Sequence, residues 1–318
     1  MKIDDRNEFD LDLNVEGFAK SFNVAPESFS KNVTQEINSL NFKYRTPNTE
    51  EFEDLIFEVL QKVDSDTQVI GAKEREKIWF DGWNENLESF KESNFDEETL
   101  VPKFLRPGNP VRLNQSYIFP EDDNFELNFL KIYRLWVLEN YFSRVDNIYE
   151  FGCGTGFNLI AASELFPEKN LYGSDFVQSS VDLVNEIARS KKLNLKGDLF
   201  NMLSPNYDYE IQPNSGILSF GSLEQLASQT DEILEFFVSK KPSICVHTEP
   251  AIELYDKDNN LSDFLAAKFQ GNRGYTSGLI GKLEALEKEG KIEILKIKRL
   301  YFGSFFMEGY NLMAWKPL

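Results

Sequence analysis

Along the first 115 positions, apolar residues recur at helical spacing. The clearest stretch puts Phe52, Leu55, Ile56, Val59, Leu60 and Val63 on one face behind Asn48-Thr49-Glu50-Glu51. An Asn followed three residues later by a Glu predicts a capping box at the start of that helix, with Pro47 closing the loop before it. Trp79, Phe80 and Trp83 fall in a second helical stretch and read as core residues rather than as a cofactor wall. Pro102, Pro107, Gly108 and Pro110 then mark an extended connection, a linker or a lid. Leu127, Leu130, Ile132, Tyr133, Trp136 and Val137 predict a further helix.

From residue 146 the pattern changes to short apolar runs alternating with amphipathic stretches, which predicts a parallel sheet with helices on both faces. Strands are expected near 147–151, 170–174, 193–197, 215–220, 243–248, 292–299 and 309–315. The last two flank Tyr301-Phe302-Gly303-Ser304-Phe305-Phe306, too short for a crossover helix, so they should pair antiparallel. The expected organisation is a helical N-terminal region over 1–115, serving as lid, dimerisation surface or substrate-recognition element, followed by an α/β domain over 116–318.

Composition narrows the partners. The net charge of −19 over 318 residues, with no basic stripe, disfavours nucleic acid, whose phosphates draw on clustered Lys and Arg. The acidic start Met1-Lys2-Ile3-Asp4-Asp5-Arg6 lacks an apolar core segment, and no run approaches the ~20 apolar residues of a membrane span. A soluble, cytoplasmic protein is expected. Cys153 and Cys245 give neither a disulfide framework nor metal-ligand spacing and read as reduced and structural; no metal is expected.

The chemistry concentrates in Ile148-Tyr149-Glu150-Phe151-Gly152-Cys153-Gly154-Thr155-Gly156-Phe157-Asn158-Leu159, a strand that turns through three alternate glycines into a helix. Such a turn exposes backbone N–H groups and a helix N-terminus above the strand ends, where a small polar cofactor binds. A dinucleotide fold wants its third glycine three residues after the second, where Phe157 stands instead. With the third glycine at 156, the segment resembles the first motif of class I S-adenosylmethionine (SAM) dependent methyltransferases, acid-x-Gly-x-Gly-x-Gly. The resemblance implies a Rossmann-like, seven-stranded, mostly parallel sheet with an antiparallel last strand. It also implies SAM as cofactor, with Glu150, Gly152, Gly154 and Gly156 around it.

In open α/β sheets, ligands sit beyond the carboxyl ends of the strands. The second strand ends at Asp175, placed to accept from vicinal ribose hydroxyls, or else capping the helix that follows Val177. Phe176 follows it at the cofactor. The third runs into Gly197-Asp198-Leu199-Phe200, where Asp198 could accept from an adenine amino group and Leu199 or Phe200 pack on the ring; loop solvation would equally explain the acid. The fourth gives Ser219-Phe220-Gly221-Ser222-Leu223-Glu224-Gln225, with Phe220 beside the cofactor and Glu224 either catalytic or an acid in a helix's first turn. Methyltransferases acting on amide or exocyclic amino nitrogens carry an Asp or Asn, two prolines and an aromatic at this place. That motif is absent, and the segment is similar instead to small-molecule and sugar O-methyltransferases of bacteria.

The fifth strand supplies the single histidine. His247 is a candidate general base with Glu249 as its orienting partner or substitute, the alternative being a hydrogen-bonded structural histidine. Arg273 and Tyr275, in the glycine-rich stretch 271–278, are candidates for holding an anionic acceptor group, although a solvated surface Arg would look the same. Arg106, Arg112 and Tyr117 are candidates for the opposite wall.

The tail from the Arg-Gly-Tyr stretch to Asn311-Leu312-Met313-Ala314-Trp315-Lys316-Pro317 is similar to methyltransferases of bacterial surface-polysaccharide pathways, which implies a small-molecule or glycosyl acceptor. A homodimer is compatible with the N-terminal region. Alternatives are a protein methyltransferase, a non-catalytic SAM-binding regulatory or interaction protein, and a nicotinamide-dependent oxidoreductase, which Phe157 disfavours.

Overall fold

The computed structural model describes residues 9–70 and 74–318. The acidic start at Met1–Arg6 lies outside the described residues. The first part of the chain runs β1 (Leu11–Asp12), α1 (Val15–Phe22), α2 (Lys31–Ser39), β2 (Lys43–Arg45), α3 (Thr49–Ser65), α4 (Glu74–Glu92), β3 (Val111–Leu113), β4 (Ser116–Pro120) and α5 (Phe125–Val137). It continues through β5 (Asn147–Phe151), α6 (Phe157–Leu165), β6 (Asn170–Asp175), α7 (Gln178–Lys191), β7 (Leu195–Leu199), β8 (Ser215–Phe220), α8 (Asp231–Lys240) and β9 (Ile244–Glu249). The last elements are α9 (Leu261–Arg273), α10 (Leu279–Lys288), β10 (Ile292–Lys298), β11 (Phe302–Gly303) and β12 (Asn311–Pro317). Among the described residues no helix is long and apolar enough to cross a membrane.

Local chemistry explains the elements that were legible. α3 begins at the expected capping box: Glu51 N–H donates to Asn48 Oδ1 at 3.0 Å while Asn48 N–H donates to Glu51 Oε2 at 2.8 Å. Its apolar face buries Leu55, Val59 and Val63 against Leu265 and Phe269 of α9.

Seven strands form the main sheet in the order β10-β12-β9-β8-β5-β6-β7. β5 to β9 are mutually parallel, and β12 runs antiparallel to both β9 and β10. The expected closing hairpin is therefore present, at the edge of the sheet. Every residue of β5 is buried, as are those of β9, as expected of strands covered on both faces.

A second, antiparallel sheet was not anticipated. Its order is β1-β2-β4-β3-β11, so strands from the N-terminal region pair with Phe302–Gly303, inside the connection between β10 and β12. The expected domain boundary at 115/116 falls in the turn of the β3–β4 hairpin. Phe18 and Phe22 of α1 pack on Phe129 of α5, and one hydrophobic cluster runs from there to Ile148, Val246 and Leu312 of the main sheet.

Four buried charges fasten this arrangement. Arg112 of β3 contacts Asp263 Oδ1 at 2.9 Å, Arg299 contacts the same oxygen at 2.6 Å, and Arg299 Nε reaches Glu308 Oε2 at 2.7 Å. Arg112 Nη1 also donates to the Ser262 carbonyl at 2.9 Å. Removing one member of a buried ion pair strands its partner at a cost of about 3–5 kcal/mol. Asp263→Ala, which leaves Glu308 as the one carboxylate facing both guanidinium groups, should lower stability by about that much, seen as a fall in the urea midpoint with little change in slope.

Candidate functional site

Beyond the carboxyl ends of β5, β6 and β8 the chain forms a cavity of about 310 Å³, lined by Gly152, Asp175, Phe176, Phe200, Met202 and Ser222 together with Trp79 and Trp83 of α4. A neighbouring depression shares Phe176 and Glu76 with it and adds Leu199, Val177 and Phe80.

The floor is the glycine turn. Gly152, Gly154 and Gly156 have φ of +72°, +52° and +72°, a region costly to residues with a Cβ. Space is equally decisive at Gly152, where a Cβ would lie 2.4 Å from Ser222 Cβ. The turn is held by Gly152 N–H and Cys153 N–H on the Ser174 carbonyl (2.7 and 3.0 Å) and by Ser180 Oγ on the Gly154 carbonyl (2.6 Å).

Asp175 ends β6 at the cavity wall, where it accepts from Gly154 N–H at 3.0 Å and Val177 N–H at 3.2 Å. The expected acid is at the cavity wall, but it does not cap α7: the N-cap is Val177, without a side-chain cap, and Asp175 closes a two-residue turn onto the Val177 N–H instead. Burial pushes its pKa up against those donors. Glu150 lies beneath the turn, 1% exposed, with Oε1 accepting from Asn158 Nδ2 at 2.7 Å and Oε2 lacking any partner. Burial pushes its pKa up to about 8.

No family model matches the chain. Over 177 residues it is 24% identical to the release factor glutamine methyltransferase of Streptococcus pneumoniae (strain ATCC BAA-255 / R6), a match covering 55% of this chain and 57% of that protein. The chain thus spans little more than half the length of that curated relative. Among solved structures, a geranyl diphosphate C-methyltransferase from Streptomyces coelicolor A3(2), solved with Mg2+, geranyl diphosphate and S-adenosyl-L-homocysteine, superposes with a TM-score of 0.46 at 12% identity, over 73% of this chain and 98% of its own. The [4+2]-cyclase SpnF superposes at 0.45 with 13% identity, over 85% and 96% of the two chains. The order of the seven strands, with the glycine turn following the central one and a reversed strand next to the edge, decides the architecture. The fold is a Rossmann-like α/β architecture on a seven-stranded, mostly parallel sheet with β12 antiparallel to its neighbours.

Within that fold several expected site residues are placed elsewhere. His247 is fully buried between Phe237 and Trp315, on the face of the sheet away from α5. Its Nδ1 lies 2.8 Å from Ser219 Oγ, and its Nε2 has no partner. Because Ser219 donates to Glu249 Oε1 at 2.8 Å, its oxygen is left to accept from the imidazole Nδ1–H. Burial holds the His247 pKa down at about 3, so the ring is a neutral structural residue rather than the base at the cavity.

Glu249 is likewise consumed. It accepts the backbone N–H groups of Ser222, Leu223 and Glu224 at 3.2, 3.1 and 3.1 Å, capping the short 3-10 turn Leu223–Leu226. Burial pushes its pKa up to about 7 against these donors. Its work is to fix the loop after β8 at the cavity edge.

Arg273 belongs to the last turn of α9 rather than to a loop, and it is tied to Asp66 at 2.7 Å and to Tyr275 OH at 3.0 Å while covering the Phe269 ring. Tyr117 is fully buried beside Arg112 and Phe305. These three residues join α3, α9 and the second sheet and do not line the cavity. Asp198 pairs with Lys196 at 2.8 Å and accepts from Tyr209 OH, away from the cavity lining. Leu199 and Phe176, by contrast, both line the neighbouring depression.

The residues that sequence reasoning missed are Trp79 and Trp83, half-buried at the cavity instead of in the core, and Glu126, which joins the expected Glu224 around Tyr310. Gln225, at the cavity wall, donates to Glu224 Oε1 at 2.8 Å. Tyr310 OH donates to Glu126 Oε1 at 2.7 Å, and burial, Glu126 and Glu224 together push the tyrosine pKa well up. Glu126 itself is raised to about 7 by burial. Phe220 stands beside Tyr133 and Tyr310. The two tryptophans sit one helical turn apart in a segment whose other positions are mostly charged, a pattern better suited to a wall than to a core.

The depressed His247 pKa has a stability consequence. The unfolded chain binds the proton near pH 6.5 and the folded chain only near 3, so this contribution is full above pH 6.5 and lost as pH falls through that window. Between pH 7 and 5 the wild type should lose about 2 kcal/mol more than His247→Gln, compared by urea unfolding at the two pH values.

Proposed function

We propose that this protein is a SAM-dependent methyltransferase acting on a hydroxyl of a small polar metabolite or glycosyl acceptor. The observation that carries the reading is the cavity beyond β5, β6 and β8. Among its described lining residues the ionisable groups are Glu76 and Asp175, with no Lys or Arg. A dinucleotide's pyrophosphate would be repelled there, whereas a sulfonium is favoured by carboxylates and aromatic faces.

The residues present fit the cofactor. Asp175 retains lone pairs that would take vicinal hydroxyls, Phe176 and Leu199 would pack on a planar ring, and the unpartnered Glu150 Oε2 would take a hydrogen bond from an ammonium. When bound, SAM supplies a methyl group activated for in-line attack. The chain's task is then to align the acceptor and exclude water, which is worth on the order of 7–11 kcal/mol. Glu224 is our candidate for receiving the acceptor proton, since it adjoins the cavity wall through Gln225, whereas Glu249 is taken up by three backbone N–H groups and by Ser219.

Two features support oxygen and a small acceptor. Ser219-Phe220-Gly221-Ser222 offers no side-chain amide and no proline pair to hold an amino group, and α4 lies along the cavity, where a folded protein surface would have to approach. The name of the curated relative favours a protein acceptor as the second reading.

Calorimetric titration with S-adenosylhomocysteine tests the cofactor. Wild type should bind, and Asp175→Asn, which keeps an acceptor but loses the charge, should bind roughly 10- to 100-fold more weakly. Absence of wild-type binding at millimolar ligand would reject the cofactor.

Glu224→Gln should leave that affinity unchanged while lowering kcat on the order of 100- to 10,000-fold. Assaying homocysteine-product formation with a panel of glycosyl and polyol acceptors and with glutamine-containing peptides separates the two acceptor readings. Turnover confined to the peptides would overturn the hydroxyl assignment.

A further inference from the structure

One wall of the cavity comes from a helix that the methyltransferase motifs do not include. Trp79 and Trp83 of α4 stack on each other with ring centroids 5.4 Å apart and 24° between their planes. Both border the same space as Gly152, Asp175 and Ser222. Trp83 rests directly on the glycine turn, for a Cβ built on Gly154 would lie 3.0 and 3.2 Å from two of its ring carbons. The second glycine is therefore required as much by the helix above it as by its own φ of +52°.

The helix is registered on the cofactor-side elements at two points. Ser179 Oγ, in the first turn of α7, donates to the Phe80 carbonyl at 2.9 Å. Thr155 Oγ1, inside the glycine turn, donates to the Leu100 carbonyl at 2.7 Å, at the end of the short 3-10 turn Glu97–Leu100 that follows α4. The aromatic roof and the glycine floor are thus positioned against each other by direct bonds.

We propose that Trp79 and Trp83 make this roof selective for charge, so that the site holds the sulfonium form of the cofactor more tightly than its neutral thioether product. The inference rests on the SAM reading of the cavity and adds to it. An indole face attracts a cation and gains nothing comparable from a neutral thioether. In the transfer the acceptor oxygen forms a bond to the methyl carbon and the carbon–sulfur bond breaks. Its electron pair goes to sulfur, which becomes neutral, and the acceptor's proton leaves to a base. The charge that the roof recognises therefore disappears with the reaction, and the spent cofactor is held less firmly than the fresh one.

The test compares the two forms of the cofactor on one protein. SAM and S-adenosylhomocysteine are titrated calorimetrically into wild type, Trp83→Leu, Trp79→Leu and Trp83→Phe, with melting curves to verify folding. Trp83→Phe keeps an aromatic face should the leucine variant fail to fold. The leucine variants should weaken SAM about 2- to 30-fold more than the homocysteine form, and Trp83→Phe should retain most of the discrimination. Equal weakening of both ligands, or no change in either, would overturn the charge-selective roof while leaving the SAM site standing. Wild type that binds neither form would reject the SAM reading and the roof with it.

Discussion

The tight turn from β5 into α6 is the constraint on which the rest of the carboxyl edge depends. Three residues with positive φ bring the backbone close to Ser222 from one side and Trp83 from another, and neither approach leaves room for a side chain. Asp175 closes the turn from β6 by accepting Gly154 N–H, and Ser222 Oγ closes it from β8 by donating to the Phe151 carbonyl at 2.8 Å. The cavity is what remains when three strand ends and one helix are drawn to the same few glycines.

Behind that edge stands a line of buried polar groups that never reaches the cavity. His247, Ser219 and Glu249 form one connected set, and its far end ties down the backbone of residues 222–224. A carboxylate used this way holds a loop still without offering it any chemistry. Elsewhere Tyr310 OH donates to Glu126 Oε1 at 2.7 Å, and Glu224 bears on the same phenol electrostatically.

What could be read from the sequence was what is decided locally. The capping box at Asn48 and Glu51, the glycine spacing and the acid ending β6 each depend on a few neighbouring residues, and each stands where the pattern put it. The seven-stranded sheet was legible because its strands are long enough to show a period. The second sheet was not, since β1 and β11 contain two residues each and β2 and β3 three. His247 was placed on the correct strand, but which face a strand turns to its helices depends on packing with Phe237 and Trp315. Arg273 and Tyr117 looked like site residues because a sequence does not reveal that Asp66 and Arg112 are waiting beside them.

The four-charge cluster also dictates an order of events. Arg112 is made early, yet its partners Asp263, Arg299 and Glu308 follow roughly 150 to 200 positions later, and β3 cannot complete its sheet until Phe302 arrives. At ordinary synthesis rates that is a delay of roughly 10 to 40 s. During that time the hairpin's arginine must stay in water. The second sheet and its buried arginine are thus completed only by the segment that carries Asp263, Arg299 and Glu308, whereas α4 over the cavity is fastened by the earlier Thr155 and Ser179.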